Sequence, residues 1–468
     1  MRTEQYSPTG FRGLLLAGMV TAWGVSGAWG QGAPAAAPAA APVPPPPEAA
    51  AEVAADGSVL SLSTEQGQSP LNESFDWPTY SERVRAQRKK AIEDTTFAIQ
   101  LRTMYLDRNK YDDTESEGWA AGGSAGLKTG YFRNLLSLGA TGYTSQRIVG
   151  EDDKDGTLLL KPGQRAYSVL GELYGDFKLS DEVSIYAGRK AYDTPYINRN
   201  DTRMTPNTFE AYTIQGRAKL AEKSALKYGA GYFDKIKERN SDEFVAMSED
   251  AGSTINHGVF TAGAVYDRGV FTIGAIDYYC EDIINIAYGE AKCNMPINET
   301  VKLTLAAQYT DQESTGDDLL NGEDFSAEQY GLKADLAVGA ATFTVAYTDT
   351  GDGDGMQSPW SGYPGYTSVQ VEDFNRAGES AVMLRAAYDF KSVEGLSAYG
   401  LWVNGSDPDG ADTFERDEYN LNLQWKASKG VAKGLSLRTR YAIVTEEDSD
   451  SDDLTDFRVI CSYDMPWK

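Results

Sequence analysis

Arg438 and Arg440 stand two residues apart in a segment whose odd positions, Leu435, Leu437, Thr439, Tyr441 and Ile443, are largely apolar. In an extended strand this spacing puts both guanidinium groups on one face, about 7 Å apart. The same parity argument collects Arg102, Lys128, Arg217, Lys302, Lys333, Arg385 and Arg458 on the polar faces of their own segments. Arg189 joins them on its position beside an irregular run, because the parity around Val183, Ile185 and Ala187 is ambiguous. A row of cations can hand an anion from one to the next by charge-assisted hydrogen bonds. It can also pair with carboxylates such as Asp335, Asp389 and Asp456, and the two uses are compatible.

Two irregular stretches carry the remaining candidates. Asp193 to Phe209 holds Asp193, Asn198, Arg199, Asn200, Asp201, Arg203 and Asn207 without a clean period. Ser358 to Glu379 holds Ser358, Trp360, Tyr363, Tyr366, Thr367 and Ser368 among prolines and glycines. Folded inward, such loops would narrow a lumen and set aromatic faces beside hydrogen-bonding groups. They would equally pack on the wall as plugs, and only binding separates the two readings.

Catalytic and metal chemistry find no support. His257, between Asn256 and Gly258, is the only histidine, and no Cys-x-x-Cys occurs. No catalytic set, metal or cofactor is expected, and the chain is not read as an enzyme. Cys280 and Cys293 fall too far apart along a hairpin to bond, and Cys461 lies on an apolar face, so no structural disulfide is expected. A net charge of -26 makes nucleic acid an unsuitable partner.

The elements that must hold these residues are strands. From Phe457 to Trp467 one parity is apolar or aromatic, with Ile460 and Pro466 out of character. Phe97 to Tyr105, Val301 to Tyr309, Tyr330 to Val338, Val382 to Phe390 and Leu435 to Ile443 repeat the alternation. A soluble sandwich shows the same period. Strand length, acidic or Gly/Asp-rich connections and tyrosines near strand ends favour a transmembrane antiparallel barrel. An arginine facing lipid at the midplane costs about 2 to 4 kcal/mol, which sends the cations to the lumen. At about 20 residues per strand and connection, the chain after the N-terminal region yields roughly 18 strands.

The N-terminus reads as an export address. Residues 1–30 are expected to form a signal peptide, with the apolar run Gly13 to Val20 and a cleavage site after Ala28-Trp29-Gly30. Residues 31–57 are rich in Ala and Pro and are expected to form a disordered linker. Residues 58–93 are polar and periplasmic, with the basic run Arg83, Arg85, Arg88, Lys89 and Lys90, and suit a short helix. The barrel is expected over 94–468.

The chain resembles the OprD family of outer-membrane porins from Asp94 to Lys468. The pieces that carry the likeness are Gly122-Gly123 with Leu127 to Phe132, Asp193-Thr194-Pro195-Tyr196 with Asn200 to Phe209, Phe244 to Met247 with Ala251-Gly252, and Ser358-Pro359-Trp360 with Pro364 to Ser368. The resemblance implies a bacterial outer-membrane barrel of 18 strands, a monomer or weak trimer. In it the third and seventh extracellular loops form a narrow eyelet, and an arginine/lysine ladder guides carboxylate-bearing solutes. The long Ala/Pro segment and the ending Trp467-Lys468 depart from the family pattern. The expected partners are small anionic or zwitterionic solutes (amino acids, small peptides, organic or aromatic acids), outer-membrane lipid and the outer-membrane assembly machinery. A cell-wall contact through residues 31–93 is a further candidate. A general pore and a structural barrel that tethers membrane to wall are the alternatives to substrate-preferring passive diffusion.

Overall fold

The structure is a computed structural model that describes residues 80–410, 414–447 and 453–465. The expected signal peptide and linker, and residues 58–79, lie outside the described residues. Among the described residues eighteen antiparallel strands form one closed barrel, and a two-residue strand, Val245–Ala246, pairs onto Ser224–Lys237 from a connection. The first, Thr96–Asn109, pairs with the last, Leu454–Met465, in register from Ile99↔Met465 to Asn109↔Thr455. Closure leaves no sheet edge, so every strand finds its backbone partners without water.

The alternation sorts side chains to two solvents. Leu332, Val345, Phe260 and Leu421 stand outward and are more than half exposed. Such a belt is intolerable in water and correct in lipid. Ile460, out of pattern in the sequence, faces inward and packs on an apolar patch of Met104, Leu106 and Ala120 with Leu159 and Leu160 of the connection 150–166 and Met204 of the connection 191–207.

The two barrel ends differ. At one end the strands Thr208–Ala221 and Ser224–Lys237, Val259–Arg268 and Phe271–Cys280, and Ser326–Val338 and Ala341–Thr350 are joined by two residues each. Gly269 (φ 72°) and Gly339 (φ 62°) supply the left-handed conformation such turns require. At the other end run the long connections 191–207, 238–258 and 351–379, here called loops 3, 4 and 7 by their order at that end. The helix Tyr80–Glu93 sits at the short-turn end, where Gly130 N donates to Ala91 O (2.9 Å). Ala91 is fully buried, whereas Arg85, Arg88, Lys89 and Lys90 are exposed.

The largest apolar core lies inside the barrel. Tyr192, Tyr196 and Ile197 of loop 3, Met247 of loop 4, and Trp360 and Tyr363 of loop 7 pack against Phe209, Phe233, Val259, Tyr278, Ile286 and Tyr288 of the wall. Tyr196 meets Tyr278, Tyr288 and Tyr363 edge to face at 5.9, 6.4 and 6.3 Å between centroids. Each such pair adds about 0.5–1.5 kcal/mol beyond area burial. One side of the lumen is thereby filled, and the opening is pushed against the opposite wall.

Candidate functional site

The opposite wall is where the cations gather. Arg440 is the cross-strand partner of Arg458, and Asn422 and Tyr399 continue that row onto the next two strands. A second row runs Asn420, Leu401, Arg385, Thr344 and Asp335. Neighbouring strands lie about 4.8 Å apart, so the rows form an arc across the wall. Arg385 stacks on the Tyr399 ring (4.4 Å) and Lys333 on the Tyr366 ring (4.5 Å). These contacts fix the long side chains without neutralising them. Arg438 Nε donates to Asn422 Oδ1 (2.6 Å).

Two like charges directly opposed across strands repel. Asp456 relieves this by bridging Arg458 (2.6 Å) and Arg108 (2.7 Å). Gln370 of loop 7 then closes the network: its Nε2 donates to Asp456 Oδ1 (2.8 Å), and Arg458 Nη2 donates to its carbonyl (3.1 Å). Glu418, fully buried, accepts the backbone N–H groups of Gln370, Val371 and Glu372. Loop 7 is therefore bolted to the cationic wall.

Loops 3 and 7 meet across the opening. Ile197 and Ser361 form a β-bridge, and Asn200 Nδ2 donates to Ser361 O (2.7 Å). Asn200 (φ 35°) and Ser361 (φ 61°) are both held in the left-handed region, a strain kept at sites the surroundings over-determine. A Cβ on Gly362 would stand 2.4 Å from Tyr196 O, so only glycine lets loop 7 pass there. Asp201 pairs with Arg102 (2.5 Å), which ties loop 3 to the first strand. Loop 4 adds Arg239, whose N–H donates to Asn207 Oδ1 (2.7 Å) and whose Nη1 donates to the Thr202 hydroxyl (2.8 Å).

Between wall and loops remains a cavity of about 920 Å³. Nine cations line it: Arg108, Arg199, Arg203, Arg239, Lys333, Arg385, Arg438, Arg440 and Arg458. Three carboxylates, Asp201, Asp335 and Asp373, share the lining with Ser358, Tyr363, Tyr366 and Ser368. The Arg203 guanidinium is pushed well below the usual arginine range by burial and by Arg458, Arg239 and Arg108, a sign of concentrated positive charge.

The candidates drawn from the sequence divide on this geometry. Lys333, Arg385, Arg438, Arg440 and Arg458 reach the cavity. Lys128 pairs with Asp176 (2.8 Å) near the short-turn end, and Arg217 and Lys302 are exposed close to the same end. Arg189 does not join the row. Its cross-strand partners are Leu173, which faces lipid, and Glu210, with which it pairs (3.0 Å) under the Phe244 ring. Of the loop candidates, Arg199, Asn200, Asp201, Arg203, Ser358, Tyr363, Tyr366 and Ser368 line the opening. Asp193 instead clamps Arg199, and Asn198 Oδ1 accepts Asn200 N–H. Asn207 and Thr367 are fully buried, the latter bonded to Thr348. Trp360 is likewise fully buried, its Nε1 donating to Met247 O (3.0 Å), so it is a packing anchor and presents no face to the lumen. Arg108, Arg239 and Gln370 were not among the sequence candidates. Arg108 shares the parity of Arg102 and was readable, whereas Arg239 and Gln370 lie in loops that have no period to read.

A closed eighteen-stranded barrel with a lipid-facing apolar belt and a lumen narrowed by its own loops is an outer-membrane porin. The chain belongs to the OprD family: the family model described as outer membrane porin, OprD family, matches residues 89–467. It is accordingly a channel protein of the bacterial outer membrane. Among solved structures it is similar to Pseudomonas aeruginosa OccK9 (OpdG), with TM-score 0.72 and 23% identity over 80% of this chain and 99% of that one. It is also similar to P. aeruginosa OpdK, solved with vanillate, with TM-score 0.69 and 20% identity over 80% and 99%. Acinetobacter baumannii OccAB3 follows with TM-score 0.70 and 18% identity over 80% and 100%. No curated protein sequence matched the chain.

Proposed function

We propose that the chain is a passive, substrate-preferring pore for small solutes that carry a carboxylate. The observation that supports this most is the lining of the opening, nine cations against three carboxylates in a protein of net charge -26. Acid elsewhere and base at the constriction is a local arrangement that composition alone would not give. A carboxylate entering from the loop side meets Arg203, Arg239 and Arg458 and can pass along Arg440, Arg438 and Arg385. Several weak sites in series permit both entry and exit. A carboxylate, vanillate, accompanies one of the structural neighbours, in keeping with this reading. A general pore would have no use for such a lining. Liposome swelling with solutes of matched size tests the proposal: carboxylates should enter faster than neutral sugars, and equal rates would refute it.

A further inference from the structure

The wall row accounts for only part of the positive charge. Arg203 and Arg239 belong to loops 3 and 4 and stand on no strand. Arg203 is 7% exposed, its Nε donating to Thr157 O (2.8 Å) and its Nη1 to Thr202 O (3.1 Å). The Arg239 backbone N–H donates to Asn207, and its guanidinium donates to the Thr202 hydroxyl. Among the described residues neither guanidinium forms an ion pair, and the hydrogen-bond acceptors recorded for both are neutral. Beside them Arg108 and Arg458 share the single carboxylate Asp456. Of the other nearby acids, Asp201 pairs with Arg102, and Asp373, which accepts the Ser368 hydroxyl, is one carboxylate among several cations. On the wall, Arg438 and Arg440 form no ion pair among the described residues, and Arg440 Nε is buried without an acceptor. Both groups line one cavity. Removing a cation from water without a counter-charge is expensive, so each group favours an anion of its own. A monocarboxylate satisfies one of them. The cavity of about 920 Å³ has room for a small molecule that reaches both.

We propose that the eyelet is built for small dicarboxylates, one carboxylate taken by Arg438 and Arg440 of the wall and the other by Arg203 and Arg239 of the loops. This rests on the carboxylate-pore reading and names its substrate class. The test is single-channel current block of the purified full chain in a planar bilayer, with succinate, butyrate and an uncharged four-carbon polyol as probes. Succinate should block at a concentration about tenfold below butyrate, the worth of one additional charge-assisted contact. R239Q, which retains a donor for Thr202, should cut the succinate-to-butyrate ratio several-fold. Equal block by succinate and butyrate in the wild type overturns the dicarboxylate inference while leaving the carboxylate pore intact. So does a ratio that R239Q leaves in place. Block by the polyol equal to that by butyrate defeats both. If R239Q does not insert, the wild-type ratio decides alone.

Discussion

At the scale of residues, the site is a balance between cations that are used up and cations that are left over. Asp456 is shared by Arg458 and Arg108, and Asp201 pairs with Arg102, whereas Arg438 and Arg440 form no ion pair among the described residues. Replacing Arg438 and Arg440 together by glutamine should lower the permeation of carboxylates about tenfold and that of neutral sugars much less, read by swelling assays. Equal loss for both solute classes would show that the pair acts on pore shape alone. Asp456→Asn should do different damage, because it leaves Arg458 buried beside Arg440 without a counter-ion, a cost of about 3–5 kcal/mol. Its expected readout is a lowered temperature at which the barrel band shifts on unheated gels. Parity made much of the wall legible: Lys333, Arg385, Arg438, Arg440 and Arg458 all alternate with residues that face lipid. Arg189 owes its place to its position beside an irregular run and not to parity, and that placement does not hold. There Ser184, Tyr186, Gly188 and Lys190 carry the inward parity, and Arg189 shares the other with Val183, Ile185 and Ala187.

At the scale of elements, three loops make one structure. Loop 3 crosses loop 7 at Ile197 and Ser361, and loop 4 is pinned to loop 7 through Trp360 and Met247 and through Ser361 and Glu238. Aromatic density in Ser358 to Ser368 suggested faces turned to a solute. Tyr366 and Tyr363 do reach the opening, but the density arises chiefly because loops inside a barrel need a core of their own. Trp360→Ala should therefore release loop 7, at about 3–5 kcal/mol of local packing, and raise single-channel conductance and protease sensitivity together. Deletion of Thr194 to Asn207 with a short Gly/Ser closure should enlarge the pore. The flanking strands remain registered from Val183↔Gly216 to Lys190↔Phe209, so the barrel should still form. Unchanged conductance in the deletion would place the constriction elsewhere. Loop 4 also carries a pH dependence. Burial, then Glu238 and Glu249, push the Asp250 carboxyl up to about 8. A raised acid contributes most below its ordinary value near 4 and loses that contribution as pH rises through about 8. After correction for the base-catalysed intrinsic rate, amide protection around Asp250 should thus be lower at pH 9 than at pH 5, and equal protection would contradict the raised carboxyl.

At the scale of the whole molecule, the architecture was the most legible feature and the opening the least. Period-two alternation with an aromatic near the end of many segments gives strands and faces, and chain length at about 20 residues per strand and connection gives roughly eighteen strands. It gives nothing about how residues 191–207, 238–258 and 351–379 fold into the lumen, because those segments have no period and are shaped by contacts made 100 residues or more away in the chain, such as Tyr196 with Thr310 and Trp360 with Met247. The same separation applies to charge. Net charge of -26 describes loops and surface, whereas the opening is lined nine to three by cations. These two facts predict opposite ion selectivity, because fields at a constriction are set by the charges that line it. The reversal potential of the purified channel in a potassium chloride gradient separates them. The lining predicts preference for chloride, reduced when Arg438 and Arg440 are both replaced by glutamine. A cation-selective wild-type channel would contradict the account.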